Sequence, residues 1–170
     1  SAPPVGDLRW KPPSPAIPFA GVREADRVSA ACWQARNSDA SVYARGNLNR
    51  SEDCLYLNVF TGAEGSDADL PVMVWFHGGA HTSGQGHSRF FDGTELARQG
   101  VVLVTINYRL GAFGFMTHPA LSAESPHSSS GNYAILDQIA ALKWVRENIA
   151  SFGGDPENVT IFGESAGGTS

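Results

Sequence analysis

The sequence predicts an α/β fold with a mostly parallel sheet, on three observations. Residues 55–60, 71–76 and 101–107 are apolar runs of strand length, the last almost continuously apolar, as a strand buried on both faces must be. Residues 133–151 carry apolar side chains at helical spacing, and a β-branched and aromatic run follows at 159–162. Strand, helix and strand in that order are what a parallel sheet with right-handed crossovers requires. The last run feeds into Gly163-Glu164-Ser165-Ala166-Gly167, a Gly-x-Ser-x-Gly sequence in which a strand turns sharply into a helix around a serine.

At 170 residues, 42% of them hydrophobic, the chain suits one domain with enough apolar surface to bury a core. We read residues 1–170 as a single incomplete domain: 1–50 form a proline-rich wrap and a cysteine-bounded loop, and 51–170 form the central sheet up to the serine turn. The chain opens on Ser1 without an initiator methionine and stops shortly after Ser165, so both ends read as cut. A net charge of −5 without clustered Lys or Arg argues against nucleic acid or an anionic membrane as partner. No apolar run is long enough to span a bilayer.

Pro3, Pro4, Pro12, Pro13, Pro15 and Pro18 crowd residues 1–21, which should be extended and without regular helix. Leu8, Trp10, Ile17 and Phe19 supply apolar side chains that a disordered leader seldom carries, so the segment is expected to dock. Cys32 and Cys54 are the two cysteines. They pair in an oxidising compartment, or remain buried free thiols in a reducing one. Neither belongs to a motif that sets it beside a histidine, which disfavours a thiol nucleophile.

Residues 92–99 suit a short helix stopped at Gly100, which completes a strand-helix-strand step between 71–76 and 101–107. The serine-rich stretch 122–130 reads as loop. In the long helix, Ile135, Leu136, Ile139, Ala140, Leu142, Val145 and Ile149 are expected to face the sheet. Asp137, Gln138, Lys143, Arg146 and Glu147 are expected to face away. Asn132 should cap its start and Gly153-Gly154 end it, before a turn at Asp155-Pro156.

Ser165 is the candidate nucleophile: the flanking glycines keep side chains out of the turn, so the serine can adopt a strained backbone that presents its hydroxyl. His77-Gly78-Gly79-Ala80 follows a buried strand and exposes backbone N–H groups, which can stabilise the oxyanion of acyl transfer. The N–H of Ala166, just after the serine, supplies a matching donor. The same loop lacks the lysine of a phosphate-binding loop. His77, His81 and His87 have neither the spacing nor the partner ligands of a zinc site, and His118 and His127 read as surface residues. Neither a metal nor an organic cofactor is expected.

Ser51-Glu52-Asp53-Cys54-Leu55-Tyr56-Leu57-Asn58-Val59, His77-Gly78-Gly79-Ala80, Asn107-Tyr108-Arg109-Leu110-Gly111, Phe152-Gly153-Gly154-Asp155-Pro156 and Phe162-Gly163-Glu164-Ser165-Ala166-Gly167-Gly168 closely resemble, in order, the signatures of the type-B carboxylesterases. That family includes the cholinesterases and the bacterial para-nitrobenzyl esterases. The resemblance implies a partial α/β-hydrolase fold with helices on both faces of the sheet, its C-terminal half missing here, and hydrolysis of small-molecule carboxylic esters. By position it implies Ser165 as nucleophile, Gly79, Ala80 and Ala166 as oxyanion-hole amides, a Cys32–Cys54 disulfide and an Arg9–Glu52 salt bridge. In this fold the triad runs in the order serine, acid, histidine, which puts the last two beyond residue 170.

This chain departs from the pattern in having Ala80 and His81 where the family often has a third glycine and an aromatic. It has Tyr43 near the place where cholinesterases carry a choline-binding tryptophan, while Trp33 adjoins the wrong cysteine, so choline esters are not the expected substrate. The expected function is ester hydrolysis through an acyl-enzyme, with this piece alone inert. The rival readings are a non-catalytic adhesion or scaffold protein on the same fold, disfavoured by the intact serine and its glycines, and an amidase or lactonase. A disulfide, together with the sequons at Asn49 and Asn158, leans towards secretion. The strand before Ser165 is expected to have an unpaired outer edge that promotes aggregation.

Overall fold

A computed structural model describes residues 1–35 and 49–170. Among the described residues six strands and four α-helices follow in order: β1 (Ala31–Cys32), β2 (Arg50–Ser51), β3 (Leu57–Phe60), β4 (Leu70–Phe76), α1 (Thr94–Arg98), β5 (Val102–Ile106), α2 (Gly111–Phe115), α3 (Pro119–Glu124), α4 (Tyr133–Asn148) and β6 (Gly154–Gly163). Strands β1 and β2 form a small parallel pair, and the main sheet has the order β3-β5-β4-β6. Its β5-β4 and β4-β6 pairs are parallel and its β3-β5 pair antiparallel, which is the mostly parallel α/β sheet expected.

Register follows from alternation. Val72, Val74 and Phe76 of β4 and Val102, Val104 and Ile106 of β5 share one core with Ala134 and Val145 of α4 and with Ile149 just after it. On the opposite face the Trp75 ring lies 4.9 Å from both Phe91 and Phe162, and Gly93, at the start of α1, packs on Leu103 and Phe60. Helices therefore cover both faces. All five residues of β5 are buried, which accounts for its unbroken apolar run. Helix α1 closes at Gly100 in the Schellman pattern, with Val101 N–H donating to the Leu96 carbonyl at 3.3 Å and Gly100 N–H to that of Ala97 at 3.1 Å. Strand β6 is paired on one side only among the described residues, and Ile161 on it is 57% exposed.

The long helix corrects the expected facing. Tyr133, Ala134, Asp137, Gln138 and Val145 are its buried residues, whereas Ile139 is 42% exposed. Asn132 does not cap through its side chain; it takes a left-handed backbone (φ 55°), and its carbonyl accepts from Ile135 and Leu136 N–H. The last turn tightens to 3-10 over Ile149–Phe152 before Gly153. Helices α2 and α3 fall where no helix was expected: α2 is glycine-rich, and α3 begins with His118 Nδ1 accepting from Ala120 N–H ahead of Pro119.

The N-terminal segment docks through fewer residues than expected. Trp10 Nε1 donates to the Ala112 carbonyl at 2.9 Å and its ring stacks on Phe113, while Ile17 and Phe19 are exposed. Arg9 grips Glu52 with two hydrogen bonds, at 2.5 and 2.7 Å, in a partly exposed pair. Cys32 and Cys54 form a disulfide 22 positions apart, and both are buried. Closing a loop of that length contributes about 3 kcal/mol by restricting the unfolded chain. Reductant is accordingly expected to lower the unfolding free energy of the protein by about that amount in a denaturant titration; unchanged stability after verified reduction would contradict it. Tyr43 lies outside the described residues.

Candidate active site

Two loops leave the same end of adjacent parallel strands. Phe76 pairs with Gly163 in the β4-β6 register, so residues 77–80 and 164–167 emerge side by side at the carboxyl end of the sheet, where open α/β sheets place their sites. The two glycines of the serine turn have steric reasons. A Cβ on Gly163 would stand 2.4 Å from the Gly167 carbonyl oxygen, and one on Gly167 would stand 2.1 Å from that of Phe76. No side chain fits either place. The serine itself takes the left-handed conformation, φ 52°, which is costly for a residue with a Cβ and leaves Ser165 exposed at the bend. After it Ser165–Gly168 form one 3-10 turn, with Ala166 buried.

The opposing loop is pressed against this bend. A Cβ on Gly78 would stand 3.1 Å from the Ser165 Cβ and 2.7 Å from the Glu164 carbonyl oxygen. Gly79 (φ 111°), Ala80 (φ 52°) and His81 (φ 58°) form a run of positive φ that turns the backbone sharply. Gly79 contributes its carbonyl to Thr82 N–H (2.9 Å) and Ser83 N–H (3.1 Å), while the Gly79 and Ala80 amides donate to no other group among the described residues. The four residues singled out from the sequence, Ser165, Gly79, Ala80 and Ala166, thus lie on two abutting loops.

The histidines separate by environment. His77 is 1% exposed, its ring stacked on Tyr108 with centroids 4.4 Å apart and its Nδ1 2.8 Å from the Gly78 carbonyl oxygen. Burial pushes its pKa down to about 4; the bond to Gly78 acts the other way, and nearby His87 and His81 add to the fall. Unfolded, it titrates near 6.5. The unfolded chain therefore binds more protons between those values. Stability from this group is complete above about pH 6.5 and falls by about 3 kcal/mol as pH drops to about 4. Denaturant midpoints from pH 7 to 4.5 should show that slope, reduced in His77→Asn; equal slopes would contradict it. His81 Nε2 lies 3.0 Å from Ser170 Oγ, and its ring sits 5.1 Å from Phe115. His118 and His127 are exposed, as expected.

Several residues that hold these loops entered the sequence reading only as a family signature, at 107–111, without a role. Asn107 Oδ1 accepts from Gly86 N–H at 2.8 Å and its Nδ2 donates to the Cys54 and Ala30 carbonyls. The Tyr108 hydroxyl donates to the His77 carbonyl, and His81 O accepts from Gly111 N–H at 2.7 Å. Arg109 donates three hydrogen bonds to Asp137, from its N, Nε and Nη2, at 3.0, 2.8 and 2.8 Å. Burial pushes the Asp137 carboxyl up, and the hydrogen bonds and charge of Arg109 pull the other way. The 107–111 segment is thus a clamp joining the disulfide, the His77 loop and α4. The buried side of α4 carries Ala134, Asp137, Gln138 and Val145, and an acid there needs a basic partner elsewhere in the chain, which helical periodicity alone does not reveal. A small cavity beside the disulfide is lined by Arg9, Glu52, Cys54, Arg109 and Phe113 among others, and Ser165 does not line it. Among the described residues no group of His, Cys, Asp and Glu is arranged to hold a metal ion, and no helix is long and apolar enough to cross a membrane.

The model of the carboxylesterase family matches residues 1–170. The chain is 51% identical over 167 residues to a fumonisin B1 esterase of Sphingopyxis macrogoltabida, covering 98% of this chain and 30% of that protein. It is 50% identical over 170 residues to a para-nitrobenzyl esterase of Bacillus subtilis strain 168, covering 99% and 33%. A solved thermophilic PNB esterase superposes with a TM-score of 0.86 at 48% identity, over 98% of this chain and 33% of that one. The chain therefore spans about a third of the length of these relatives, with their α/β-hydrolase architecture. Matched along every residue and sharing half its positions with such relatives, the chain belongs to the carboxylesterase family.

Proposed function

We propose that the protein carrying this chain hydrolyses small-molecule carboxylic esters with Ser165 as nucleophile. The observation that carries this reading is Ser165 held at φ 52° on an exposed bend with Gly78 packed against its Cβ, a strained placement that a purely structural serine does not need. Ser165 Oγ attacks the ester carbonyl carbon while its proton passes to a histidine expected beyond residue 170. The carbonyl oxygen becomes an oxyanion facing the N–H groups of Gly79, Ala80 and Ala166. Collapse expels the alcohol, which takes up that proton, and leaves an acyl-serine. Water, deprotonated by the same base, then attacks the acyl carbon and releases the acid and the free serine.

Among the described residues no histidine hydrogen-bonds Ser165, so the 170-residue chain alone is expected to be inert. The same strained serine disfavours an adhesion or scaffold role. Treating the whole protein with a fluorophosphonate and mapping the adduct by mass spectrometry tests the assignment. One label per molecule on the Ser165 peptide, with turnover lost in proportion, is expected. Turnover that survives full labelling, or a label elsewhere, would refute it.

A further inference from the structure

Peptide geometry links the oxyanion donors to the groups that hold the preceding carbonyls. A trans peptide is planar, so its C=O and N–H point in opposite directions, and fixing one fixes the other. The Gly79 carbonyl is held by Thr82 and Ser83 N–H, which fixes the Ala80 N–H through the turn itself. The Gly78 carbonyl, whose peptide carries the Gly79 N–H, is held by His77 Nδ1 at 2.8 Å. A carbonyl only accepts, so Nδ1 carries the proton. We propose that His77, as its Nδ1–H tautomer braced by the Tyr108 ring and hydroxyl, is a positioning residue that keeps the Gly78–Gly79 peptide from flipping and so keeps the Gly79 N–H aimed at the reacting carbonyl.

The bracing is specific. Tyr108 is fully buried, stacks on the imidazole at 12° and donates its hydroxyl to the His77 carbonyl, so two successive peptides of the loop are pinned. Gly84 leaves the space for this: a Cβ there would stand 2.3 Å from His77 Nδ1 and 2.5 Å from the Gly78 oxygen. Gly78 and Gly79 offer little resistance to a flip, since neither has a side chain to restrict the backbone. The imidazole is thus the side-chain restraint on that peptide.

This inference rests on the esterase reading, and its test separates the two. In the whole protein, His77→Phe keeps a ring against Tyr108 and removes the donor, whereas His77→Asn loses the ring and keeps an amide near the position of Nδ1. Loss of one oxyanion donor lowers kcat on the order of 10²- to 10³-fold. Positioning predicts a kcat loss of up to that size for Phe with KM little changed, partial recovery in Asn, and weaker binding of a trifluoromethyl ketone, a tetrahedral mimic, in step with kcat. A packing role predicts the reverse order, Phe above Asn, and would overturn the proposal, as would unchanged kcat in folded Phe. The tautomer can also be read in unmutated protein from ¹⁵N-histidine spectra: Nδ1–H at His77 supports the proposal, and Nε2–H overturns it even should the variants not fold. Wild-type protein that neither hydrolyses esters nor takes a fluorophosphonate at Ser165 would bring down the esterase reading and this inference together. Wild-type activity with indifferent His77 variants would bring down this inference alone.

Discussion

Ser165→Ala is expected to lower kcat/KM of the whole protein for a para-nitrophenyl ester on the order of 10⁴- to 10⁶-fold, the loss seen when a serine hydrolase is left without its nucleophile. Stability should hardly change. Ser165 is exposed, and the variant keeps the Cβ that Gly78 packs against, so the unfolding free energy should move by no more than about 0.5 kcal/mol. The pairing of these results matters: activity lost with the fold intact assigns chemistry to the hydroxyl, whereas activity lost with the fold would assign it only a structural place. Turnover persisting in a folded variant would contradict the assignment.

The second large effect is on stability and lies away from the serine. Asp137→Ala should destabilise the protein by about 3–5 kcal/mol, because it leaves the Arg109 guanidinium, 4% exposed, uncompensated inside the core. The same change frees the Arg109 backbone N–H, which also donates to Asp137. Arg109→Lys should be poorly tolerated as well, since an ammonium cannot reproduce the Nε and Nη2 pair of bonds. Because Tyr108 adjoins Arg109 and holds the His77 carbonyl, milder variants such as Asp137→Asn are expected to reduce kcat along with stability. Urea denaturation of wild type and variants gives the comparison. A cost below about 1 kcal/mol for Asp137→Ala would mean that the pair is not the clamp described.

How far the sequence announced all this depended on whether the information was local. Strands β4 and β5, helix α1 and the serine turn were legible because each is specified by its own few residues: an apolar run, a glycine stop, two glycines around a serine. The turn between β4 and α1 was also readable as a source of amides, since small residues after a buried strand have few other uses. The facing of α4 was not. Apolar residues lie on more than one side of that helix, and the side that packs includes Asp137, whose partner stands 28 positions earlier. Periodicity alone assigns a charge to solvent. The β1-β2 pair is similarly set by the disulfide, which joins Cys32 in β1 to a loop just after β2. His77, read from the sequence as the first letter of a glycine loop and set aside as a zinc ligand, gains its proposed role from Tyr108 and Gly84, neither of them its neighbour in the chain.

The proposed chemistry needs one arrangement: the Ser165 hydroxyl on its strained bend, with the oxyanion formed from the substrate carbonyl facing three amides from two loops. A crystal structure of the whole protein carrying a phosphonate on Ser165 measures it directly, because the phosphoryl oxygen occupies the place of the oxyanion. That oxygen is expected at about 2.7–3.1 Å from the nitrogens of Gly79, Ala80 and Ala166. An adduct oxygen pointing to solvent, with those three nitrogens bonded elsewhere, would contradict it.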